Sequence, residues 1–135
     1  MFFRRRKKLI VMPHSDVAVI HGSKRLNMIC TPGIATPTEG FAALAAGADG
    51  LKLFPAELLA PPVVKALRAV FSNDTIMIPV GGIAPEALAG FWMAGATAFG
   101  LGSALYRPGM TLADVRDNAT TFIRSRDHCR NANLC

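Results

Sequence analysis

The hydrophobic residues of this chain form two alternating patterns, which predict parallel strands joined by helices. Short runs are apolar at consecutive positions, which is typical of strands covered on both faces. Between these runs lie longer segments whose apolar residues recur at helical spacing. The five strand-like runs are Leu9–Met12, Asn27–Thr31, Gly50–Phe54, Thr75–Val80 and Ala96–Leu101. Strict alternation of this kind predicts an α/β fold built on a parallel sheet.

The clearest helix start lies just after the second strand-like run. Thr36 can cap a helix, Pro37 suits its first turn, and Glu39 completes a capping box. Proline or a capping residue marks the other predicted starts, at Pro61, Ala84 and Thr111. Five strands suit a small open sheet, whereas a complete eight-stranded barrel needs about 250 residues. With 135 residues, the chain is too short for a complete barrel.

Composition excludes two broad classes of protein. The chain is 51% hydrophobic and 18% charged, so most of it is expected to fold. No apolar run approaches the roughly 20 residues of a membrane span, and Leu9–Met12 is too short for an export signal. The three cysteines Cys30, Cys129 and Cys135 form no regular framework, which favours reduced thiols and a cytoplasmic protein.

The net charge of +6 comes mainly from the first eight residues, where Arg4–Lys8 are all basic. Such a run is usually a solvated terminus, so binding to nucleic acid is only a minor alternative. His128, Cys129 and Cys135 lack the spacing of a metal site, and we expect no metal and no cofactor. The chain therefore divides into a basic tail (1–8), a folded domain (9–126) and a C-terminal tail (127–135).

Lys52 is the most unusual residue, because it stands inside a run that otherwise reads as a buried strand. A buried ammonium group costs several kcal/mol unless it is paired or loses its proton. Desolvation lowers the pKa of lysine, and the neutral amine can attack a ketone to form a Schiff base. The alternative is a lysine whose charged end reaches solvent or a structural carboxylate.

Two glycine turns follow the last two strand-like runs. Gly81 and Gly82 follow Val80, and Gly102 precedes Ser103. Glycine lets the backbone approach a ligand closely and present its N–H groups, and Ser103 adds a hydroxyl. Because barrel enzymes often hold phosphate with the loops after their final strands, the pair of turns predicts a phosphate site.

Other polar residues at strand ends are weaker candidates. Pro32 belongs to a rigid turn that could line a ligand, and Glu57 follows the lysine strand closely enough to be a general base. Glu39 is better explained as a capping residue. The spacing of His14 and Asp16 does not predict a catalytic triad.

These segments together resemble the 2-keto-3-deoxy-6-phosphogluconate and 6-phosphogalactonate aldolases, with the phosphogalactonate branch favoured. The matching motifs span roughly residues 9–126 and are, in chain order, Leu9–Pro13, Thr31–Thr36, Leu51–Glu57, Val80–Ile83 and Gly100–Ser103. The resemblance implies a β/α barrel, usually a trimer, that needs no metal. It also implies a lyase acting in carbohydrate metabolism.

The resemblance implies a role for each motif. Lys52 would form the imine with the keto acid, and the products would be pyruvate and glyceraldehyde 3-phosphate. Pro32 and Phe54 would line the pyruvate pocket. The phosphate of the keto-deoxy sugar acid would be held by Gly81, Gly82, Gly102 and Ser103.

The chain departs from the family pattern at its start, which corresponds to the family's fourth strand. The family's general-base glutamate and its arginine and threonine ligands on the first three strands have no counterpart. We therefore expect a truncated or misassigned start and an incomplete barrel of about five βα units. Turnover would be weak or absent unless Glu57 or a partner chain supplies the base. A non-catalytic half-barrel that binds phosphate ligands is the alternative.

Overall fold

A computed structural model describes residues 8–132 and shows parallel strands alternating with helices. The strands are β1 (Leu9–Val11), β2 (Ile29–Thr31), β3 (Gly33–Ile34), β4 (Leu51–Leu53) and β5 (Met77–Pro79). The helices are α1 (Val17–Arg25), α2 (Pro37–Ala45), α3 (Pro61–Val70), α4 (Leu88–Met93) and α5 (Leu112–Asn131), with a 3₁₀ turn at Pro85–Ala87. The predicted α/β class with parallel strands is confirmed. Most of the basic run, and Cys135, lie outside the described residues.

The strands pair in parallel in two groups, β1 with β2 and then β3–β4–β5. Pro32 separates β2 from β3, because proline has no N–H to donate to a ladder. At this point the chain changes partners: the Gly33 N–H donates to the His14 carbonyl, and the Pro32 carbonyl accepts from the Lys52 N–H at 2.8 Å. Because β2 pairs with β1 and β3 pairs with β4, the two groups of strands lie side by side and are joined at Pro32.

The fifth predicted strand, Ala96–Leu101, follows β5 in the expected direction but forms only one bridge, between Val80 and Gly100. Part of the reason is the Thr97 side chain. Its hydroxyl accepts a hydrogen bond from the Met77 N–H at 3.0 Å, in place of a backbone ladder bond. The predicted path is right, whereas the predicted regular strand is not.

The core lies between the sheet and the helices. Ile20 of α1 and Val64 of α3 are fully buried, together with Leu51 and Leu53 of β4. The prediction that every strand is covered on both faces is wrong for β1, where Leu9 is 57% exposed. Its side chain lies on the inner face of the sheet, which the described residues leave open.

Local signals explain where the helices begin. The predicted capping box of Thr36 and Glu39 is present, and Asp16 caps α1 by accepting hydrogen bonds from two backbone N–H groups. The last helix runs to Asn131 and buries Cys129, so the boundary predicted at 126 falls inside it. None of the helices in residues 8–132 combines the length and apolar character of a membrane span.

Candidate functional site

Lys52 is the middle residue of β4, and only 9% of its surface is exposed. Leu51 and Leu53 on either side belong to the core beneath the helices. Because side chains alternate along a strand, Lys52 projects to the opposite, inner face of the sheet. There it lines a cavity of about 700 Å³. The structure therefore places the predicted lysine in a space that could admit a small ligand.

The same cavity is lined by residues two apart on the neighbouring strands. They are Leu9, Val11, Ile29, Thr31, Ile76, Ile78, Val80, Ala98, Gly100 and Gly102, and Asp49, Phe99 and Leu101 complete the lining. Most of these positions were not identified from the sequence, because the strand runs were interpreted as uniformly buried. The alternation of positions 76, 78 and 80, and of 98, 100 and 102, is the signal that could have revealed them.

The surroundings of Lys52 act on its protonation in two opposite ways. No carboxylate of residues 8–132 forms an ion pair with Lys52, and its Nζ makes no hydrogen bond to them. Its Nζ lies 4.2 Å from the centroid of the Phe54 ring, a contact that favours the ammonium form. Burial acts in the other direction and lowers the pKa of Lys52 below its ordinary value. The amine is thus easier to deprotonate than that of a solvated lysine.

The two glycine turns present backbone donors at the carboxyl ends of neighbouring strands. Gly81 and Gly82 have φ angles of 111° and 60°, which residues with side chains rarely adopt. Within residues 8–132, the N–H groups of Gly82, Gly102 and Ser103 donate no hydrogen bond, whereas the Gly81 N–H faces the Gly100 carbonyl across the bridge. Because Val80 bridges to Gly100, the two turns follow adjacent strands. They offer free donors of the kind that bind an anion.

Pro32 and Phe54 lie at the neighbouring strand ends but differ in exposure. Pro32 is fully buried, and its carbonyl binds the backbone of Lys52. Phe54 is half-buried, with its ring against the Lys52 amine. The Phe54 ring therefore contacts the side chain of Lys52, whereas the Pro32 carbonyl accepts a hydrogen bond from the Lys52 backbone N–H.

The two glutamates have separate surroundings. Glu39 accepts hydrogen bonds from the N–H groups of Ala35 and Thr36 and from the Thr36 hydroxyl, and these bonds lower the pKa of Glu39. Glu57 is exposed, and its side chain lies against Gly81 and Gly82. Glu39 is thus occupied as a cap, whereas Glu57 is close to the predicted phosphate turn.

The remaining candidates do not join this site. Asp16 caps α1, and the His14 carbonyl supports Gly33. His128 and Cys129 lie in α5. In the part of the chain described, no three His, Cys, Asp or Glu side chains are grouped closely enough to hold a metal ion.

The parallel strands and the alternating helices define a partial parallel β/α barrel, with Lys52 facing its inner side. A family model described as KDPG and KHG aldolase matches residues 7–119. The chain belongs to this aldolase family. The resemblance found in the motifs, and the partial-barrel fold expected from it, are therefore confirmed.

Individual relatives support the same assignment. The chain is 43% identical over 120 residues to a probable 2-dehydro-3-deoxy-6-phosphogalactonate aldolase of Rhizobium meliloti (strain 1021), covering 89% of this chain and 57% of the relative. It is 42% identical over 118 residues to the 2-dehydro-3-deoxy-6-phosphogalactonate aldolase of Escherichia coli (strain K12), covering 87% and 58%. A structure described as native KDPGal matches with a TM-score of 0.89 and 40% identity, over 92% of this chain and 60% of that one. The chain thus spans less than two thirds of the relatives it matches.

Proposed function

We propose that this chain carries a class I aldolase site in which Lys52 forms a Schiff base with a keto acid. The burial of Lys52 beside an open cavity, with no acidic partner in residues 8–132, is the observation that carries the proposal. A desolvated amine with a lowered pKa is the nucleophile that imine formation requires. A structural lysine would instead be expected to have a counter-charge.

The substrate class follows from the relatives, which are named for 2-dehydro-3-deoxy-6-phosphogalactonate. The Lys52 amine attacks the C2 carbonyl and water leaves, which gives a protonated imine. The imine accepts the electron pair of the C3–C4 bond as the C4 hydroxyl loses its proton, and glyceraldehyde 3-phosphate departs. The enamine left on Lys52 takes up a proton at C3, and hydrolysis then releases pyruvate and the free amine. The corresponding phosphogluconate epimer would react in the same way.

The other site residues bind the substrate at its two ends. Phe54, whose ring contacts the Lys52 amine, lines the end that holds the pyruvate portion, and the buried Pro32 supports this end through its backbone bond to Lys52. The unpartnered N–H groups of the two glycine turns hold the phosphate at the other end, with the Ser103 hydroxyl as a further donor. Glu57 is the candidate acid or base for the proton steps. The family resemblance also leads us to propose a trimer located in the cytoplasm.

Reductive trapping tests this function directly. Incubation with pyruvate and borohydride is expected to attach one pyruvate-sized group to Lys52, as read by intact mass and peptide mapping. Lys52→Met should abolish the adduct, whereas Lys65→Met should keep it, because Lys65 is an exposed residue of α3. A folded wild-type chain that gives no adduct, or an adduct that survives Lys52→Met, would refute the proposal.

A phosphate-binding half-barrel without catalysis is the second candidate. The free N–H groups of the glycine turns favour it, because they do not depend on Lys52. It predicts that Lys52→Met leaves the affinity for inorganic phosphate unchanged while the wild-type chain gives no pyruvate adduct. The trapping experiment therefore separates the two functions.

A further inference from the structure

The Glu57 side chain occupies the surface of the Gly81–Gly82 turn. A Cβ atom added at Gly81 would lie 2.5 Å from Glu57 Oε2. One added at Gly82 would lie 2.7 Å from Glu57 Cγ and 2.8 Å from Oε1. Only glycine at both positions leaves room for the carboxylate. The backbone on the Glu57 side is fixed to the same strand end, because the Ala56 N–H donates to the Val80 carbonyl at 2.8 Å.

Contact with the turn does not satisfy the carboxylate. Glu57 accepts no hydrogen bond from any residue between 8 and 132, and the N–H group of Gly82 likewise has no acceptor there. Glu57 is also exposed and has no cationic partner in this part of the chain. Its position is therefore set by the shape of the turn, and it can leave without breaking a hydrogen bond.

We infer that Glu57 is a specificity-determining residue that covers the phosphate subsite and is displaced by the phosphate of a ligand. The inference rests on the proposed function, in which the glycine turn holds a phosphate monoester. Two anions in contact repel each other, so the ionised carboxylate and the phosphate cannot share the turn favourably. A ligand also held at Lys52 can compensate for this repulsion, whereas free inorganic phosphate cannot. Glu57 thus disfavours small anions relative to a phosphorylated keto acid.

The test compares the affinity of three chains for inorganic phosphate by calorimetry at constant ionic strength. Glu57→Gln keeps the shape of the side chain and removes its charge. Because Glu57 is exposed and solvent screens it, the variant should bind phosphate about two- to fivefold more tightly than wild type. The control Glu86→Gln makes the same charge change in the 3₁₀ turn Pro85–Ala87 and should leave the affinity unchanged.

The inference would be overturned if Glu57→Gln bound phosphate as tightly as wild type or more weakly. It would also be overturned if neither wild type nor Glu57→Gln bound phosphate. If Glu57→Gln does not fold, as judged by circular dichroism, Glu57→Ala supplies a second neutral variant with the same expected direction. A purely structural Glu57 would instead make both variants bind phosphate more weakly. Pyruvate trapping on Lys52 tests the proposed function, and the phosphate titrations test the role of Glu57. The two proposals can therefore fail independently.

Discussion

The two ends of the sheet differ in whether their charged and polar groups have partners within the protein. At the amino ends of the strands, Lys24 Nζ lies 2.6 Å from Asp49 Oδ2, and the same oxygen accepts a hydrogen bond from the Cys30 N–H. Arg68 donates to the carbonyls of Thr75 and Gly95 at 2.8 and 2.9 Å. Polar groups at this end therefore connect one strand or loop to the next.

At the carboxyl ends, polar groups are left without such partners. Within residues 8–132, the Gly82 N–H has no acceptor, and Lys52, on the inner face just before the end of β4, has no ion pair. Groups of this kind are open to water or to a ligand, and a partly desolvated titratable group in a cleft is a candidate for a functional role. The contrast matches the general division of β/α barrels, in which one end stabilises the fold and the other binds the substrate.

The largest stability effect is expected from the amino end. Arg68→Ala would remove a charged donor from the carbonyls of Ser72, Thr75 and Gly95. We expect the free energy of unfolding to fall by about 3 kcal/mol, measured by urea denaturation. Arg124→Ala is the matched control, because Arg124 is exposed on α5 and should cost little. An equal loss of unfolding free energy in the two variants would contradict the stabilising role assigned to the amino ends of the strands.

A pair of glycine substitutions gives a smaller effect at the carboxyl end. Gly81→Ala forces a side chain into φ 111° and against Glu57, so we expect a loss of about 1–2 kcal/mol and weaker phosphate binding. Gly22→Ala, in the middle of α1, meets nothing closer than Arg25 Nη2 at 3.7 Å. It should stabilise the protein by about 0.5–1 kcal/mol. Thermal and urea unfolding of both variants, with phosphate titration, would show whether the two glycines differ as predicted.

The pH dependence of stability sharpens the comparison further. Burial lowers the pKa of Lys52 in the folded protein, whereas in the unfolded chain it stays near the ordinary 10.5. The unfolded state therefore binds more protons between these values, and the stability of the wild type rises with pH through this window. Lys52→Met should be more stable than wild type at neutral pH, and this advantage should shrink as the pH approaches the ordinary value. A constant difference in urea midpoints over the same range would contradict the desolvation of Lys52.

Features that depend on neighbouring residues in the sequence were predictable, whereas strand pairing and contacts between distant residues were not. The capping box of Thr36 and Glu39 and the lysine within an apolar strand depend on neighbours in sequence, and both are present. Helix α1 was not predicted, because Asp16 was interpreted as part of the polar end of the first strand, whereas it caps the helix. The change of partner at Pro32 and the contact of Glu57 with Gly81 depend on residues distant in sequence. No periodicity within a strand specifies such contacts.

The most direct test of the contrast compares Lys52 with Lys24 in one protein. After reduction of the wild-type chain with pyruvate and borohydride, quantitative peptide mapping gives the fraction of each lysine that carries the adduct. We expect the adduct on Lys52 and essentially none on Lys24, whose ammonium group is paired with Asp49. Equal modification of the two lysines, or modification of Lys24 alone, would contradict the account of an activated lysine on the inner face of the sheet.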